Sequence, residues 1–381
     1  MTEEDFRRRA EDFISDIPYK KLPYSGRNWG HEWHSLCSYH GKLKPSIAHF
    51  LVKEFTKPGD KVLDPLCGVG TIPLEACLQG RYGIGNDLSE LAFVVTKAKL
   101  EKPDRKLVNE EFEKLSSYIL NNVDENWVSK EIKKISDFGF NGKIPSYFHE
   151  KTLREIICAK DFLTKDIKGI TPQRALILSC MLHILHGNRP YALSRRSHPL
   201  TPYAPKGDFE YKNVIEHLKA KIDKSYKDGI FDNYTSGKSI FSDCNELQLS
   251  DIDAIITSPP FADSIRFYMQ NWMRLWFCGW TSTDFKEADK VFLDRRQKNN
   301  FDVYIPFFEM CHRVLKKNGI IILHLGKTKN IDMAKELSER AVKYFDRVFQ
   351  GSECVTDIEK HGVKDKGGTI DHQFLFLQKK G

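Results

Sequence analysis

The chain has 381 residues, of which 40% are hydrophobic and 29% charged, the balance of a globular rather than a disordered protein. Lysine and arginine number 59 against 52 acidic residues, and the net charge of +7 permits a nucleic-acid partner without requiring one. No apolar run approaches the ~20 residues that cross a bilayer, and Met1–Ala10 lacks the apolar core of a secretory signal. The nine cysteines form no CxxC pair and no zinc-type spacing, which predicts free thiols in a reducing, intracellular setting.

The first part of the chain predicts a strand–helix–strand unit. A charged, partly amphipathic leader over residues 1–24 and a helix with Ile47, Phe50, Leu51 and Phe55 on one face precede this unit. Its predicted elements are a buried strand Lys61–Leu66, a tight turn Cys67–Gly70, a helix Thr71–Gln79, a strand Tyr82–Asp87 and a helix Ser89–Leu100. Such a βαβ rhythm requires a parallel sheet.

The rhythm is interrupted and then resumes. Residues 105–237 contain helical patterns over Thr152–Leu163 and Arg174–His186, separated by polar, basic and proline-bearing loops. Further strands are predicted at Ser239–Cys244, Ile252–Thr257, Gly319–Leu325, Arg347–Val355 and His372–Gln378, and further helices at Phe307–Leu315 and Met333–Tyr344. We therefore predict one α/β domain in two halves, residues 1–104 and 238–381, divided by a mostly helical insertion, residues 105–237.

The turn after the first strand has the character of a ligand site. Gly68 and Gly70 let the backbone approach a ligand closely, and the next helix presents free N–H groups. Asp87 ends the second strand, where a carboxylate can accept hydrogen bonds from ribose hydroxyls. Asp64 would repel phosphates, so the turn suits a cationic, phosphate-free ligand such as S-adenosylmethionine. The alternative is a structural turn in which Asp64 caps the helix.

A second cluster follows the strand Ile252–Thr257. Ser258, Pro259, Pro260 and Phe261 combine a hydroxyl, two rigid residues that donate no backbone hydrogen bond, and an aromatic face. Such a corner can hold a planar group that carries an exocyclic amine, because the amine donates to the acceptors and the ring stacks on Phe261. The alternative is a rigid turn with a buried phenylalanine.

The string DPLCGVGT, Asp64–Thr71, closely resembles motif I of the class I S-adenosylmethionine-dependent methyltransferases. This resemblance implies a Rossmann-like sheet, mostly parallel with an antiparallel final strand, and S-adenosylmethionine as the cofactor. It also implies that Asp87 binds the ribose and that Asp243 contacts the adenine amino group, although Asp243 also fits a solvated loop. The candidate cofactor-binding residues are Asp64, Cys67, Gly68, Gly70, Thr71, Asp87, Leu88 and Asp243.

The string TSPPF, Thr257–Phe261, resembles motif IV of the nucleic-acid amino-methyltransferases, and serine before Pro-Pro is most typical of cytosine-N4 DNA methyltransferases. Residues 263–280 resemble the aromatic helix that follows SPPY/F in prokaryotic DNA modification methylases. His34–Leu51 resembles motif X, which borders the methionine end of the cofactor. The resemblance covers roughly residues 27–100 and 240–379 and leaves the insertion without a recognised motif.

The predicted activity is site-specific methyl transfer to the exocyclic amine of a flipped base, most consistent with cytosine N4. Ser258 and the Pro259 carbonyl would accept the two N–H bonds, with Pro260 and Phe261 completing the catalytic corner. The absence of a Pro-Cys dipeptide argues against carbon-5 methylation. The alternatives are adenine-N6 DNA methylation, RNA guanine-N2 methylation, which DPxCGxGT also resembles, and a non-catalytic subunit that binds cofactor and DNA.

The expected partner is double-stranded DNA, contacted by basic residues of the insertion and of a later stretch. Arg195 and Arg196 lie among Tyr, Ser and His, a composition that suits phosphate and base-edge contacts as well as a solvated basic loop. Arg295 and Arg296 form the second candidate. We expect no metal and no membrane partner, a cytoplasmic, nucleoid-associated prokaryotic protein, and a restriction–modification role in which a paired nuclease is a candidate partner.

Overall fold

A seven-stranded sheet lies at the centre of the protein, in a computed structural model that describes residues 1–26, 29–227, 229, 234–262, 266–355 and 368–380. The strands are β1 (Lys61–Asp64), β2 (Tyr82–Asp87), β3 (Lys238–Phe241), β4 (Ile252–Thr257), β5 (Leu315–Thr328), β6 (Phe345–Cys354) and β7 (Thr369–Lys379). Their order across the sheet is β3-β2-β1-β4-β5-β7-β6. The first five pair in parallel, whereas β7 runs antiparallel to both β5 and β6. The predicted α/β sheet, mostly parallel with an antiparallel final strand, is confirmed.

Helices cover the sheet and fill the insertion. In the first half they are α1 (Glu3–Asp16), α2 (Pro45–Phe55), α3 (Thr71–Leu78) and α4 (Glu90–Leu100). In the insertion they are α5 (Arg105–Asn122), α6 (Asn126–Lys134), α7 (Ile144–Tyr147), α8 (Glu150–Thr164), α9 (Pro172–Ile184) and α10 (Val214–Ser225). In the second half they are α11 (Phe267–Gln270), α12 (Trp272–Phe277), α13 (Ser282–Val291), α14 (Leu293–Arg296), α15 (Ile305–Val314) and α16 (Met333–Ala341).

The two faces of the sheet are buried by different helices, because successive side chains of a strand point to opposite faces. On one face Leu63, Ile255 and Leu323 pack with α15 and α16. On the other face Ile256 and Phe376 pack with α1, α2 and α3. The sheet is therefore sealed on both sides, and ligands have access at the ends of its strands.

Residues 1–24, predicted as a charged leader, contribute a helix to this packing. Phe6, Ala10 and Phe13 of α1 are buried. The Phe6 ring lies 5.8 Å from that of Phe376, and the Phe13 ring lies 5.3 Å from that of Phe374, both edge-on. The charged residues of α1 face solvent, which explains why the composition of this segment suggested a leader.

The insertion shares a hydrophobic core with α4 and with the helices that follow β4. Buried residues of α5, α8 and α9 pack with Val94 and Ala98 of α4 and with Trp272 and Leu275 of α12. The buried Arg274 of α12 donates to the carbonyl of Leu182 in α9, 3.1 Å away. The insertion is thus anchored to both halves of the sheet domain, and the domain boundaries at 104/105 and 237/238 stay predictions.

Residues 263–280, the aromatic stretch after Ser258–Phe261, were predicted to form one helix, and the structure differs from that prediction. Residues 263–265 lie outside the described part of the chain. The remainder forms two short helices, α11 and α12, separated at Asn271, which has φ −107° and ψ 16°. The break lets α12 turn its aromatic residues into the core shared with the insertion.

In the described part of the chain, none of the helices combines the length and the apolarity that a membrane crossing requires.

Candidate active site

The two predicted ligand motifs meet at the carboxyl ends of adjacent strands. Strands β1 and β4 pair in parallel with Leu63 opposite Ile255. The turn Cys67–Gly70 (the glycine turn) and the residues Ser258–Phe261 (the Ser258 corner) therefore leave the sheet side by side. On the other side of β1, Asp64 pairs with Gly85, which brings the end of β2 to the same edge. Next to β2, Phe241 of β3 lies opposite Asp87. This edge is where open parallel sheets bind ligands.

The glycine turn is shaped by α4. Gly68 and Gly70 have positive φ angles, +51° and +68°, which L side chains rarely adopt. The hydroxyl of Thr96 donates to the Gly68 carbonyl at 3.1 Å, and a Cβ on Gly70 would lie 2.8 Å from that hydroxyl oxygen. Thr71 then begins α3, whose N-terminus receives no side-chain cap. The turn is therefore held tightly by α4 on the side of Thr96.

Asp87 organises the turn with both of its carboxylate oxygens. Its Oδ2 accepts the Gly68 N–H and its Oδ1 accepts the Ser89 N–H, each at 2.9 Å. Each oxygen keeps a lone pair for another donor. Burial raises the pKa of Asp87 to about 6. Leu88 lies between Asp87 and Ser89 in the chain, in the loop that leads from β2 to α4.

Asp64 is the last residue of β1 and is 3% exposed. Its Oδ1 accepts the Leu66 N–H at 3.2 Å, and burial raises its pKa to about 7. Cys67 is also buried, and its Sγ lies 3.5 Å from Thr96 Oγ1. Neither Asp64 nor Asp87 forms an ion pair with a described residue. Two carboxyl groups at the ends of β1 and β2 that no protein cation neutralises fit a ligand with positive charge, such as S-adenosylmethionine.

Asn86 is a site residue that the sequence did not single out. Its Nδ2 donates to the carbonyls of Pro65 and Ser242, at 3.0 and 3.1 Å, and so ties β2 to the loops after β1 and β3. Asp243, the predicted adenine contact, follows Ser242 in the chain, and its Oδ1 accepts the Asn245 N–H at 2.9 Å. In the sequence, Asn86 could have been found as an amide next to the end of an otherwise apolar strand.

The Ser258 corner is supported by His324 of β5 and by Gln297, which directly follows α14. Ser258 Oγ lies 3.0 Å from Nδ1 of His324. The Pro260 carbonyl accepts from Gln297 Nε2 at 2.9 Å. The Phe261 ring lies over Gly326, where a Cβ would be 2.5 Å from the ring. Within the described part of the chain the Pro259 carbonyl accepts no hydrogen bond, so this acceptor remains available.

The segment predicted as motif X closes the site from the other side. The Tyr39 ring lies against Gly68 and is 4.6 Å from the ring of Phe267 in α11. His34, in the same segment, has its Nε2 2.7 Å from Glu75 Oε1. Burial lowers the pKa of His34 to about 4. This histidine therefore contributes a structural contact behind the turn.

The four arginines predicted to contact DNA have different surroundings. Arg195 donates to the carbonyls of Gly207 and Ser146, at 2.7 and 3.0 Å, and so holds its own loop together. Arg295 donates to Asp289 Oδ1 at 2.8 Å. The side chains of Arg196 and Arg296 are exposed and form no ion pair with a described residue. The second arginine of each pair is thus the more exposed one, and all four stay predictions as DNA contacts.

Comparison with known proteins identifies a methyltransferase domain in the first half of the chain. Residues 33–147 match a family model described as UPF0020, RMKL-like, methyltransferase domain. The type II methyltransferase M.MjaII of Methanocaldococcus jannaschii is 28% identical over 106 residues, 27% of this chain and 20% of that protein. The chain thus spans about a fifth of the length of this curated relative. The match supports a methyltransferase and confirms the cofactor expected from the sequence, S-adenosylmethionine.

Solved structures show a more distant likeness. TrmN from Thermus thermophilus aligns with 90% of this chain and 50% of its own, at 13% identity and a TM-score of 0.35. A TehB-like SAM-dependent methyltransferase from Corynebacterium glutamicum covers 99% and 98% of the two chains, at 11% identity and a TM-score of 0.30. An rRNA methylase from Streptococcus thermophilus covers 88% and 96%, at 9% identity and a TM-score of 0.30.

Proposed function

We propose that this protein transfers a methyl group from S-adenosylmethionine to the exocyclic amine of a base in DNA, with cytosine N4 as the acceptor. One observation carries the proposal: the glycine turn and the Ser258 corner follow adjacent parallel strands. A cofactor beside Gly68 would therefore be next to an amine held at Ser258. When bound, S-adenosylmethionine supplies an electrophilic methyl group on a sulfonium.

The cofactor would be held by the residues around the turn. Asp87 retains an acceptor on each carboxylate oxygen for the ribose hydroxyls. Asp64 provides buried negative charge toward the cationic end of the cofactor, and Tyr39 limits the space above Gly68. Asp243 follows β3 at the same edge of the sheet, where it would meet the adenine amino group.

The amine would be held by two acceptors, Ser258 Oγ and the Pro259 carbonyl. An aromatic amine is a poor nucleophile because its lone pair is delocalised into the ring. Acceptors placed out of the ring plane favour a pyramidal nitrogen and restore the lone pair, and close placement supplies much of the remaining acceleration. The partly buried ring of Phe261, fixed over Gly326, offers a stacking face for the base.

The base must leave the double helix to reach this corner, because the amine is stacked and paired inside a duplex. The insertion presents candidate DNA contacts in Arg196 and in the aromatic side chain of Tyr203, which is 52% exposed. The loop that carries them packs on the helices after the Ser258 corner, since Arg274 donates to the Leu200 carbonyl at 3.0 Å. Arg296 belongs to the second basic stretch, near the Gln297 contact with Pro260.

RNA guanine-N2 methylation is a second candidate. The RMKL-like model covers the glycine turn, and this is the segment on which the sequence resemblance to that group rests. The serine before Pro-Pro favours the DNA enzyme, because the RNA group typically has Asn or Asp there. A cytoplasmic enzyme of a restriction–modification pair is the cellular setting that we propose with the DNA activity.

The deciding experiment is mass spectrometry of nucleosides from nucleic acid incubated with the protein and S-adenosylmethionine. We expect N4-methylcytosine from DNA, whereas N6-methyladenine from DNA or N2-methylguanine from RNA would select the alternative acceptors. Ser258→Ala should lower the rate by about 100-fold and leave cofactor affinity unchanged. Ser250→Ala, at an exposed serine before β4, is the matched control. The absence of methylated nucleosides from both nucleic acids would contradict the proposal.

A further inference from the structure

The histidine behind the Ser258 corner has one ring nitrogen in contact and one without a partner. His324 lies on β5, is 4% exposed, and has its Nδ1 3.0 Å from Ser258 Oγ. Among the described residues its Nε2 has no hydrogen-bond partner although it is buried. In the sequence His324 has no distinguishing signal, because a lone histidine in a strand is most often a packed core residue.

The protonation state of His324 is set by its surroundings. Burial, and then the neighbouring His372, hold the pKa of His324 well below its ordinary value, so the ring is neutral at physiological pH. A neutral imidazole carries one N–H and one lone pair. Either Nδ1 donates to Ser258 and the lone pair lies on Nε2, or Nδ1 accepts from Ser258 and the N–H lies on Nε2.

The rings around His324 favour the second arrangement. The centroids of Phe261, His372 and Phe374 lie 5.5, 4.9 and 5.0 Å from its own. Aromatic faces carry partial negative charge, so they accommodate a buried N–H and repel a buried lone pair. On this ground we assign the proton to Nε2, which leaves the Nδ1 lone pair toward Ser258.

We propose that His324 is a positioning residue that accepts the Ser258 hydroxyl proton at Nδ1 and so presents Ser258 Oγ to the target as a hydrogen-bond acceptor. The inference rests on the proposed function and adds a basis for its selectivity. With its proton turned toward His324, the Ser258 oxygen attracts an NH2 group and repels a carbonyl oxygen. The corner would thus distinguish cytosine, which carries an amine at carbon 4, from thymine, which carries a carbonyl there.

The first test reads the tautomer in the free protein, without substrate or cofactor. We expect ¹⁵N-histidine NMR to show an Nε2–H tautomer for a resonance that disappears in His324→Gln and persists in His312→Gln. The Nδ1 resonance should shift in Ser258→Ala, because its hydrogen-bond donor is gone. An Nδ1–H tautomer in the wild-type protein would overturn the inference, whatever the methyl transfer activity is.

The second test compares two substitutions of similar bulk. His324→Gln keeps an acceptor for the Ser258 hydroxyl, whereas His324→Phe keeps only the ring. At equal melting temperature, kcat should fall about tenfold further in the Phe variant, with the cofactor Kd unchanged in both. Equal kcat in the two variants would overturn the inference. Failure of the proposed function would instead appear as absence of methyl transfer by the wild-type protein, so the two failures are distinguishable.

Discussion

The ring of Tyr39 lies directly over Gly68, so a Cβ on this glycine would be 3.4 Å from both Cε1 and Oη of the tyrosine. The same ring is 4.6 Å from that of Phe267, which follows the Ser258 corner. Tyr39 therefore joins three separate parts of the chain: the segment before α2, the glycine turn and the helices after β4.

Tyr39→Ala should weaken S-adenosylmethionine binding by about tenfold, because it removes the ring that closes the space above Gly68. Tyr39→Phe is the matched control, since it keeps the ring and removes only a hydroxyl that donates no hydrogen bond to a described residue. Isothermal titration calorimetry of both variants measures the difference. Equal affinity in Tyr39→Ala and wild type would show that the ring does not border the cofactor.

Gly70→Ala should destabilise the protein and impair cofactor binding. Alanine would be strained at the positive φ of +68° and would place its Cβ 2.8 Å from Thr96 Oγ1. This oxygen is held in place by the hydrogen bond that it donates to the Gly68 carbonyl. Gly59→Ala has a similar backbone cost, at φ +87°, but its Cβ would meet no atom within 4 Å. Thermal melts should show a loss of about 1 kcal/mol for Gly59→Ala and about 1–3 kcal/mol more for Gly70→Ala. Equal losses would mean that Thr96 yields to the new methyl group.

Asp64→Asn should stabilise the free protein at alkaline pH and weaken cofactor binding. Burial raises the pKa of Asp64 to about 7 and that of Asp87 to about 6, so the folded state favours their protonated forms. Stability from these groups is complete below their unfolded pKa and is lost as the pH rises through about 6 to 7. Asparagine removes the Asp64 part of this loss. The melting temperature of the variant should therefore be higher than that of the wild type at about pH 8 and equal to it at about pH 4.

The same carboxyl group should make cofactor affinity depend on pH. A cationic ligand favours ionised Asp64, so wild-type affinity should rise between about pH 5 and pH 8, with protons released on binding. Asp64→Asn should bind about tenfold more weakly at the upper pH and show a flatter profile. Calorimetry in buffers of different ionisation enthalpy measures both quantities. An unchanged profile in the variant would assign the titration elsewhere.

Asp87→Ala should reduce cofactor affinity more than Asp243→Ala does. Asp87 both faces the proposed ribose position and fixes the Gly68 N–H, whereas Asp243 accepts one local bond from Asn245. We expect a loss of at least tenfold for Asp87→Ala and a smaller one for Asp243→Ala in calorimetric titrations. Equal affinity of Asp87→Ala and wild type would show that the ribose contact has been misplaced.

Arg195 and Arg196 should separate structure from DNA binding. Arg196→Gln should weaken DNA binding and lower the slope of log K against log salt concentration by about 1, with no change in melting temperature. Arg195→Ala should instead destabilise the loop by about 1–2 kcal/mol, because the Gly207 and Ser146 carbonyls lose their donor. Filter binding over a salt series, paired with thermal melts, distinguishes the two. Identical effects of both substitutions would contradict this division.

The local elements around the site can be predicted from the amino-acid sequence alone. The apolar runs Lys61–Leu66 and Ile252–Thr257 predicted the strands β1 and β4, because alternating or continuous apolar residues report burial directly. The glycine turn was equally legible, since positive φ angles require glycine at Gly68 and Gly70. The extent of β5 was underestimated, because its pairing with β7 continues to Thr328, beyond the apolar run.

The side chains that meet at the site are brought together by the folding of distant parts of the chain. His324 is 66 residues from Ser258 in the chain, and Tyr39 reaches Gly68 from before α2. Such contacts follow from strand order and helix packing, which no local pattern encodes. The same reason separates Arg195 from Arg196: adjacent arginines are equivalent in composition, and the folded loop alone directs one to backbone carbonyls and the other to solvent.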